Sequence, residues 1–397
     1  MKKINNNQNG FAHLMILAII VVLLAIGMAG YNVWLKNNSK ETTKDNVVSE
    51  LDKNSIIQNN NKIYFVDSKK LYSVEAKSKK IVEVDSNVDS NGGGVGYGSR
   101  SPLMSPDMST VAYVKNNSIW IKSDDAEIMR INQADLSSST AHCYYHYISA
   151  WSSDSSKFTY SVTFDSGMGD STCGDENKNI TGVYVYKISD NTSKKIPINR
   201  ADLWLPKTSR LVYFNNNNGA INLRTYDFES GKDEQLTKVG WEGTEPQIAF
   251  SSNGDKLIYA YQDYSSSASK IIMAKTDNTD KKILKEGQWA EYQWPRFAGD
   301  STENYVYSHS EGWTCPDGSV GCPKKYVYSV VNGLTSKGPE IIDSIVGFYN
   351  NTVLIGVKGY AYNEQGQNTL SLINILNQDT EALYTGSNQL NSKMYWQ

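Results

Sequence analysis

The stretch "AHCYYHY" sets His142 and His146 around Cys143, residue types that bind zinc as imidazole and thiolate. The spacing argues against a shared ion. In a strand, residues four apart are separated by about 13 Å, whereas zinc–nitrogen bonds are about 2.1 Å. Only a coiled loop would bring both rings to one ion, and no second ligand cluster is evident. "DSGMGDSTCGDEN" is acidic but lacks the ordered ligand positions of a calcium loop. "GGGVGYG", from Gly92, has the glycines of a phosphate cradle, yet such a cradle needs a strand before and a helix after it. Here a strand-like segment follows. No G-x-S-x-G elbow occurs. The 4 His are too few and too scattered to assemble a nucleophile, a base and an orienter. No catalytic residue, metal or cofactor is expected.

What remains is a set of aromatic and charged residues in long polar connections, such as "SNVDSNGGGVGYGSR", "EGQWAEYQ" and "SHSEGWTCPDGSVGCPKK". Tyr97, Arg100, Tyr145, Trp241, Trp289, Trp294, Arg296 and Trp313 are the candidate contact residues, with Glu291 and Glu311 among the accompanying carboxylates. Aromatic platforms among polar groups suit protein or glycan partners. Several of these rings could equally pack between structural elements.

Loops of this kind need a rigid support, and the segments between them repeat. Strands ending in an aromatic residue recur at Tyr64, Tyr113, Tyr160, Tyr213, Tyr259 and Tyr307, then near Ile355, at steps of 46 to 53 residues. A second strand follows each, as in "SIWIKSD" and "GVYVYKI", with the alternation of a half-buried strand. A third, more polar one comes next, as in "KKIVEV" and "KKILK". A further strand precedes each aromatic one except the first, and "NQLNSKMYWQ" is left over at the end. Seven four-stranded units with one strand displaced to the far terminus describe a closed ring, a seven-bladed β-propeller. Its C-terminal strand, Lys393–Trp396, is expected to complete the first blade.

"SPDMSTVAYV", "WSSDSSKFTYS" and "FSSNGDKLIYA" resemble the repeat of TolB-type propellers, close to F/W-S-P-D-G-K-x-I-A-Y. The resemblance is good in three units and loose in the others. It implies a propeller used mainly for binding, with Asp107, Asp154 and Asn253 capping tight turns. Some peptidases carry a similar propeller followed by a hydrolase domain. The sequence runs only to its closing strand, so no such domain is expected.

Composition agrees with an all-β chain. There are 26 Tyr and 9 Trp, which suit pleated surfaces, while Asn, Gly and Ser suit turns. A net charge of −3 over 397 residues gives no basic face for nucleic acid.

The N-terminus differs. Residues 1–10 are polar, and residues 11–35 form an apolar run long enough to cross a bilayer as a helix. Lys2 and Lys3 orient the N-terminus to the cytoplasm, and Tyr31 and Trp34 fit an interfacial anchor. Two processing alternatives stand beside an uncleaved anchor. Gly27 and Ala29 could form a signal-peptidase site. "NGFAHLMIL" resembles a type IV prepilin junction, although Met15 stands where that family usually has Glu. Residues 36–58 read as a polar tether and 59–397 as the propeller. The expected location is a single-pass cell-membrane protein with the propeller outside the cytoplasm.

An even count of 4 Cys suits an exported domain with two disulfides. Sequence leaves the pairing of Cys143, Cys173, Cys315 and Cys322 open. Cys315 and Cys322 flank a turn-forming "PDGSVG" and could close a small loop, leaving Cys143 with Cys173. The function expected is a membrane-anchored binding or scaffolding module for an envelope protein or polysaccharide. The alternatives are a propeller-type glycan-active enzyme and a pilus-associated subunit. Two carboxylates clustered at the axis with a His or Arg would favour the enzyme.

Overall fold

The computed structural model describes residues 62–89, 102–116, 118–123, 129–131, 143–164, 179–217, 220–242, 244–263, 267–288, 291–312, 324–341, 345–358, 367–387, 390 and 393–394. The chain divides into two compact units, Met1–Gln58 and Asn59–Gln397. The first unit, including the expected membrane helix at 11–35, lies outside the described residues. Among those described, no helix is long and apolar enough to cross a membrane.

The second unit consists of seven sheets. The first holds β1 (Lys62–Asp67), β2 (Lys70–Glu75) and β3 (Ile81–Ser86). The second begins with β4 (Leu103–Met104), β5 (Thr110–Lys115), β6 (Ser118–Ser123) and β7 (Met129–Arg130). The third contains β8 (Tyr144–Trp151), β9 (Lys157–Phe164), β10 (Gly182–Lys187) and β11 (Thr192–Ile196). In the fourth are β12 (Leu203–Trp204), β13 (Arg210–Asn217), β14 (Ala220–Asp227) and β15 (Asp233–Gln235), with β16 (Trp241–Glu242) also on β14. The fifth runs β17 (Gln247–Phe250), β18 (Lys256–Asp263), β19 (Ala268–Lys275), β20 (Lys282–Gln288). The sixth runs β21 (Tyr292–Phe297), β22 (Tyr305–Glu311), β23 (Lys324–Val331), β24 (Leu334–Ile341). The seventh runs β25 (Ile345–Asn350), β26 (Val353–Lys358), β27 (Asn368–Asn374), β28 (Thr380–Gly386). This is an all-β seven-bladed propeller.

Burial explains which residues form which strand. The aromatic-ended strands β1 and β5 are buried along nearly their whole length, since sheets pack on both their faces. Their apolar β-branched runs fit that setting. The outer strands β3 and β20 have no buried residue and carry charged side chains, Glu and Asp on β3 and Lys and Glu on β20, which blunts them as free edges. Continuous apolar clusters link neighbouring sheets. One joins Leu103, Trp151, Phe158, Tyr186 and Trp204 across the second to fourth. Trp151 also donates its indole N–H to Leu103 O at 3.0 Å, tying the third sheet to the second.

The ring closes differently from the expected way. The tail strand β29 (Lys393–Met394) does not add to β1. It pairs in parallel with β4, through Lys393↔Leu103 and Met394↔Met104, and also contacts β25. It therefore lies at the axis between the seventh and second sheets. The parallel sense follows because the inner strands of all sheets run the same way. The side chain of Met104 occupies the inner edge of β1, its sulfur accepting the Tyr64 N–H at 3.2 Å. The tail bonds to the backbone edge that remains, on β4.

The seam between the first and seventh sheets is fastened by side chains. Asp67, only 5% exposed, accepts the Ser387 N–H at 3.1 Å, the Tyr384 hydroxyl at 2.9 Å, and the Ser387 hydroxyl. Tyr384 packs on Phe65 with centroids 4.5 Å apart. A Lys79–Glu381 ion pair at 3.1 Å adds an outer contact.

Candidate functional site

Consecutive antiparallel strands send their connections alternately to two faces. One face carries tight turns built by short polar side chains. In the second sheet the Ser105 hydroxyl donates to Asp107 at 2.6 Å, and Asp107 accepts the Ser109 N–H at 3.1 Å. Ser152 and Asp154 repeat this in the third sheet, and Ser251 and Asn253 in the fifth. Each turn needs a left-handed residue, supplied by Met108 and Ser155 at φ 59° and by Gly254 at φ 79°. The turns bond to one another: Asp107 N–H to Ser155 Oγ, Lys207 N–H to Ser153 Oγ, and Ser252 Oγ–H to Asp300 O. These bonds link neighbouring turns, and Asp107, Asp154 and Asn253 have the structural role that the TolB resemblance implies.

The opposite face receives the connections from Phe164 to Gly182, Gln288 to Tyr292 and Glu311 to Lys324. At its edge, on the sixth sheet, a polar and aromatic cluster forms. His309 and Glu311 are two apart on β22 and so share one side of the sheet. His309 Nε2 lies 2.8 Å from Glu291 Oε1, and Nδ1 lies 3.3 Å from Glu311 Oε1. Glu291 Oε2 accepts the Gln288 N–H at 2.6 Å, closing the short turn before β21. Gly287 makes room for it, since a Cβ there would meet Glu291 Oε2 at 2.1 Å. Glu311 also accepts the Tyr328 hydroxyl at 2.6 Å and Lys337 Nζ at 2.5 Å. Tyr292 stacks on His309 at 4.9 Å, with Tyr307 edge-on behind it at 5.8 Å.

The electrostatics follow from these contacts. Burial alone would push the Glu291 carboxyl up, but the His309 and Gln288 hydrogen bonds outweigh it and hold the group below its ordinary range. The Lys337 and Tyr328 hydrogen bonds hold Glu311 low despite some burial. Burial and the bond to Glu311 raise the Tyr328 phenol well above its usual value. The hydrogen bonds thus favour the ionised form of both carboxyls. The cluster also spreads outward across β22, β23 and β24, away from the axis. Among the described residues no group of His, Cys, Asp and Glu could hold a metal ion.

The sequence candidates fall into three sets. Tyr97, Arg100, Trp289 and Trp313 lie outside the described residues. Trp241 and Arg296 are 4% and 7% exposed. Trp241 packs edge-on to Tyr259 at 5.4 Å and to Phe214 at 6.3 Å. Arg296 donates from one nitrogen to Ile248 O at 3.2 Å and Pro295 O at 2.9 Å, bracing β17 against β21. Burial withdraws both from a surface ligand; they hold neighbouring sheets together. Tyr145 and Trp294 are partly exposed. Cys143, fully buried at the head of β8, is disulfide-bonded; Cys173, Cys315 and Cys322 lie outside the described residues. His146 is buried beside Tyr160 and away from the surface. Sequence reading passed over His309, Tyr328 and Lys337. The two-residue spacing of His309 and Glu311 was the available signal.

No protein-family model matches this chain, and no curated protein matches it. Among solved structures it is similar to TolB from Acinetobacter baumannii, at 15% identity and TM-score 0.42, covering 68% of this chain and 61% of that one. The β-propeller domain of the trilobed protease from Pyrococcus furiosus shows 13% identity and TM-score 0.48, covering 81% and 93%. Dipeptidyl peptidase 4 from Porphyromonas gingivalis shows 13% identity and TM-score 0.43, covering 80% and 48%. The chain thus spans less than two thirds of the TolB chain it matches. Likenesses this distant concern architecture only.

Proposed function

We propose that this protein is a membrane-anchored, extracytoplasmic binding or scaffolding module. Its propeller presents the looped face to a protein or polysaccharide of the cell envelope. The asymmetry of the two faces carries this reading. One carries short Ser and Asp turns that bond to each other, and the other gathers the long connections and the Glu291–His309–Glu311 cluster. Long loops held on a rigid frame are where recognition usually resides. The apolar run at 11–35 supports the anchor, and an uncleaved helix with a cytoplasmic N-terminus fits Lys2 and Lys3 best. A disulfide between Cys143 and Cys173 fits the ladder, because Tyr144↔Phe164 pairing starts the segment carrying Cys173 beside Cys143.

The test compares the full chain with a variant shortened in both 165–178 and 313–323. A defined set of envelope proteins and polysaccharides is captured on each. Loss of the partner by the shortened variant, with unchanged thermal unfolding, is expected. Equal capture by both would sink the looped-face assignment.

A further inference from the structure

One strained residue near the looped face lies inside a strand and not in a turn. Trp294 has φ 50°, a left-handed conformation that a bulky side chain adopts only under constraint. It is followed by Pro295, which by itself favours an extended backbone at the preceding residue. Trp294 lies in β21, the inner strand of the sixth sheet, where the ladder skips from Gln293↔Ser308 to Arg296↔Val306. Such a bulge re-aims a side chain.

The surroundings over-determine this conformation. Gln247 Oε1, on the neighbouring β17, accepts the Trp294 N–H at 2.7 Å. Ser308 Oγ donates to Gln293 O at 3.1 Å on one side, and Arg296 donates to Pro295 O at 2.9 Å on the other. Three side chains thus bond the backbone of three consecutive residues, Gln293, Trp294 and Pro295, and Trp294 is partly exposed. Two residues earlier, Tyr292 is partly exposed as well, its ring backed by His309.

The charge balance narrows the ligand. Each carboxylate oxygen beside this aromatic pair already holds a donor. Glu291 faces His309 and the Gln288 N–H, and Glu311 accepts from Tyr328 and Lys337. Among the described residues, a cationic peptide would find no open carboxylate there. A neutral ligand with flat apolar faces and hydroxyl edges suits rings set among satisfied polar groups. We propose that Trp294, with Tyr292, forms a stacking subsite for an uncharged sugar ring of a polysaccharide chain. The proposal rests on the looped-face reading and selects the polysaccharide over the protein within it.

The experiment is calorimetric titration of the full chain with cellohexaose, mannohexaose and chitohexaose, with hexalysine and a polygalacturonate oligomer as charged comparators. Binding of at least one neutral oligosaccharide is expected, weakened about tenfold or more by Trp294→Ala. Trp294→Gly separates function from packing. Glycine accepts the positive φ without strain, so Trp294→Gly should be at least as stable as Trp294→Ala while sugar binding is lost. No neutral sugar bound, binding of hexalysine or polygalacturonate alone, or a Trp294→Gly variant that keeps its sugar would each overturn the subsite. If the subsite fails but shortening the loops still abolishes partner capture, the wider binding reading survives.

Discussion

Removing the Asp67 carboxylate should loosen the ring at one identifiable place. Residues 319 apart in sequence meet there, with Ser68 and Ser387 hydroxyls 3.3 Å from each other. Asp67 is the shared acceptor for the Ser387 N–H and the Tyr384 hydroxyl, and both donors stay in place when the carboxylate is deleted. A donor stranded in a buried site costs about 1.5 kcal/mol, so Asp67→Ala should lose about 3 kcal/mol. Asp67→Asn keeps one acceptor oxygen and should lose about half of that. The Ser hydroxyls can rotate to water and add little. The assay is urea unfolding followed by circular dichroism, with Tyr384→Phe and the double variant completing a cycle. Deleting Asp233, a half-exposed acceptor for Tyr213 within the fourth sheet, is the control and should cost less than about 1 kcal/mol. Burial would raise the Asp67 carboxyl, but its bonds from Ser387, Tyr384 and Ser68 bring it below the ordinary 3.8. A depressed carboxyl stabilises the fold above that value and loses its contribution as pH falls through the folded one. The wild type should therefore lose its advantage over Asp67→Asn only below about pH 4. A loss under about 1 kcal/mol for Asp67→Ala, or no coupling to Tyr384, would refute the idea that this carboxylate closes the ring.

Trp241→Ala should cost about 3–5 kcal/mol through the cavity left against Tyr259 and Phe214, with partner capture unchanged in whatever protein remains folded. Asp154→Ala should cost about 1–2 kcal/mol by freeing the Ser152 and Ser156 donors, while Asp154→Asn should cost less, because Asn253 fills the equivalent place; denaturant midpoints would show the order. Glu291 and Glu311 both sit below the ordinary 4.5, so their share of stability is present above that pH and fades as pH falls beneath it, a slope that Glu311→Gln should flatten in a pH series of thermal midpoints. Non-reducing peptide mapping should find Cys143 joined to Cys173; a link from Cys143 to Cys315 or Cys322 would exclude that pairing.

The blade pattern was readable because each strand type carries its own burial. "TVAYV" is buried throughout and "KKIVEV" is largely exposed, a contrast of inner and outer strands that the sequence pattern carries. The capping turns were readable because a Ser two residues before an Asp or Asn makes a local bond that depends on no distant residue. What could not be read was tertiary. Whether β29 bonds to β1 or to β4 depends on Met104 reaching across to Tyr64, which no local pattern announces. Arg296 and Trp241 looked like ligand contacts because Arg and Trp are common in both interfaces and cores; only the neighbouring sheets reveal that they are braces. Lys337 lies 26 residues from the Glu311 it pairs with, so composition alone could not join them.

The closed ring, on which the sorting of loops to one face depends, can be tested by replacing Ser68 and Ser387 with cysteine. Their hydroxyl oxygens lie 3.3 Å apart although 319 residues separate them in sequence. Mild oxidation followed by mass spectrometry of non-reduced peptides should recover an intramolecular 68–387 crosslink in nearly all of the folded protein. A folded protein that yields no such link, or only links between molecules, would contradict a ring closed between its first and seventh sheets.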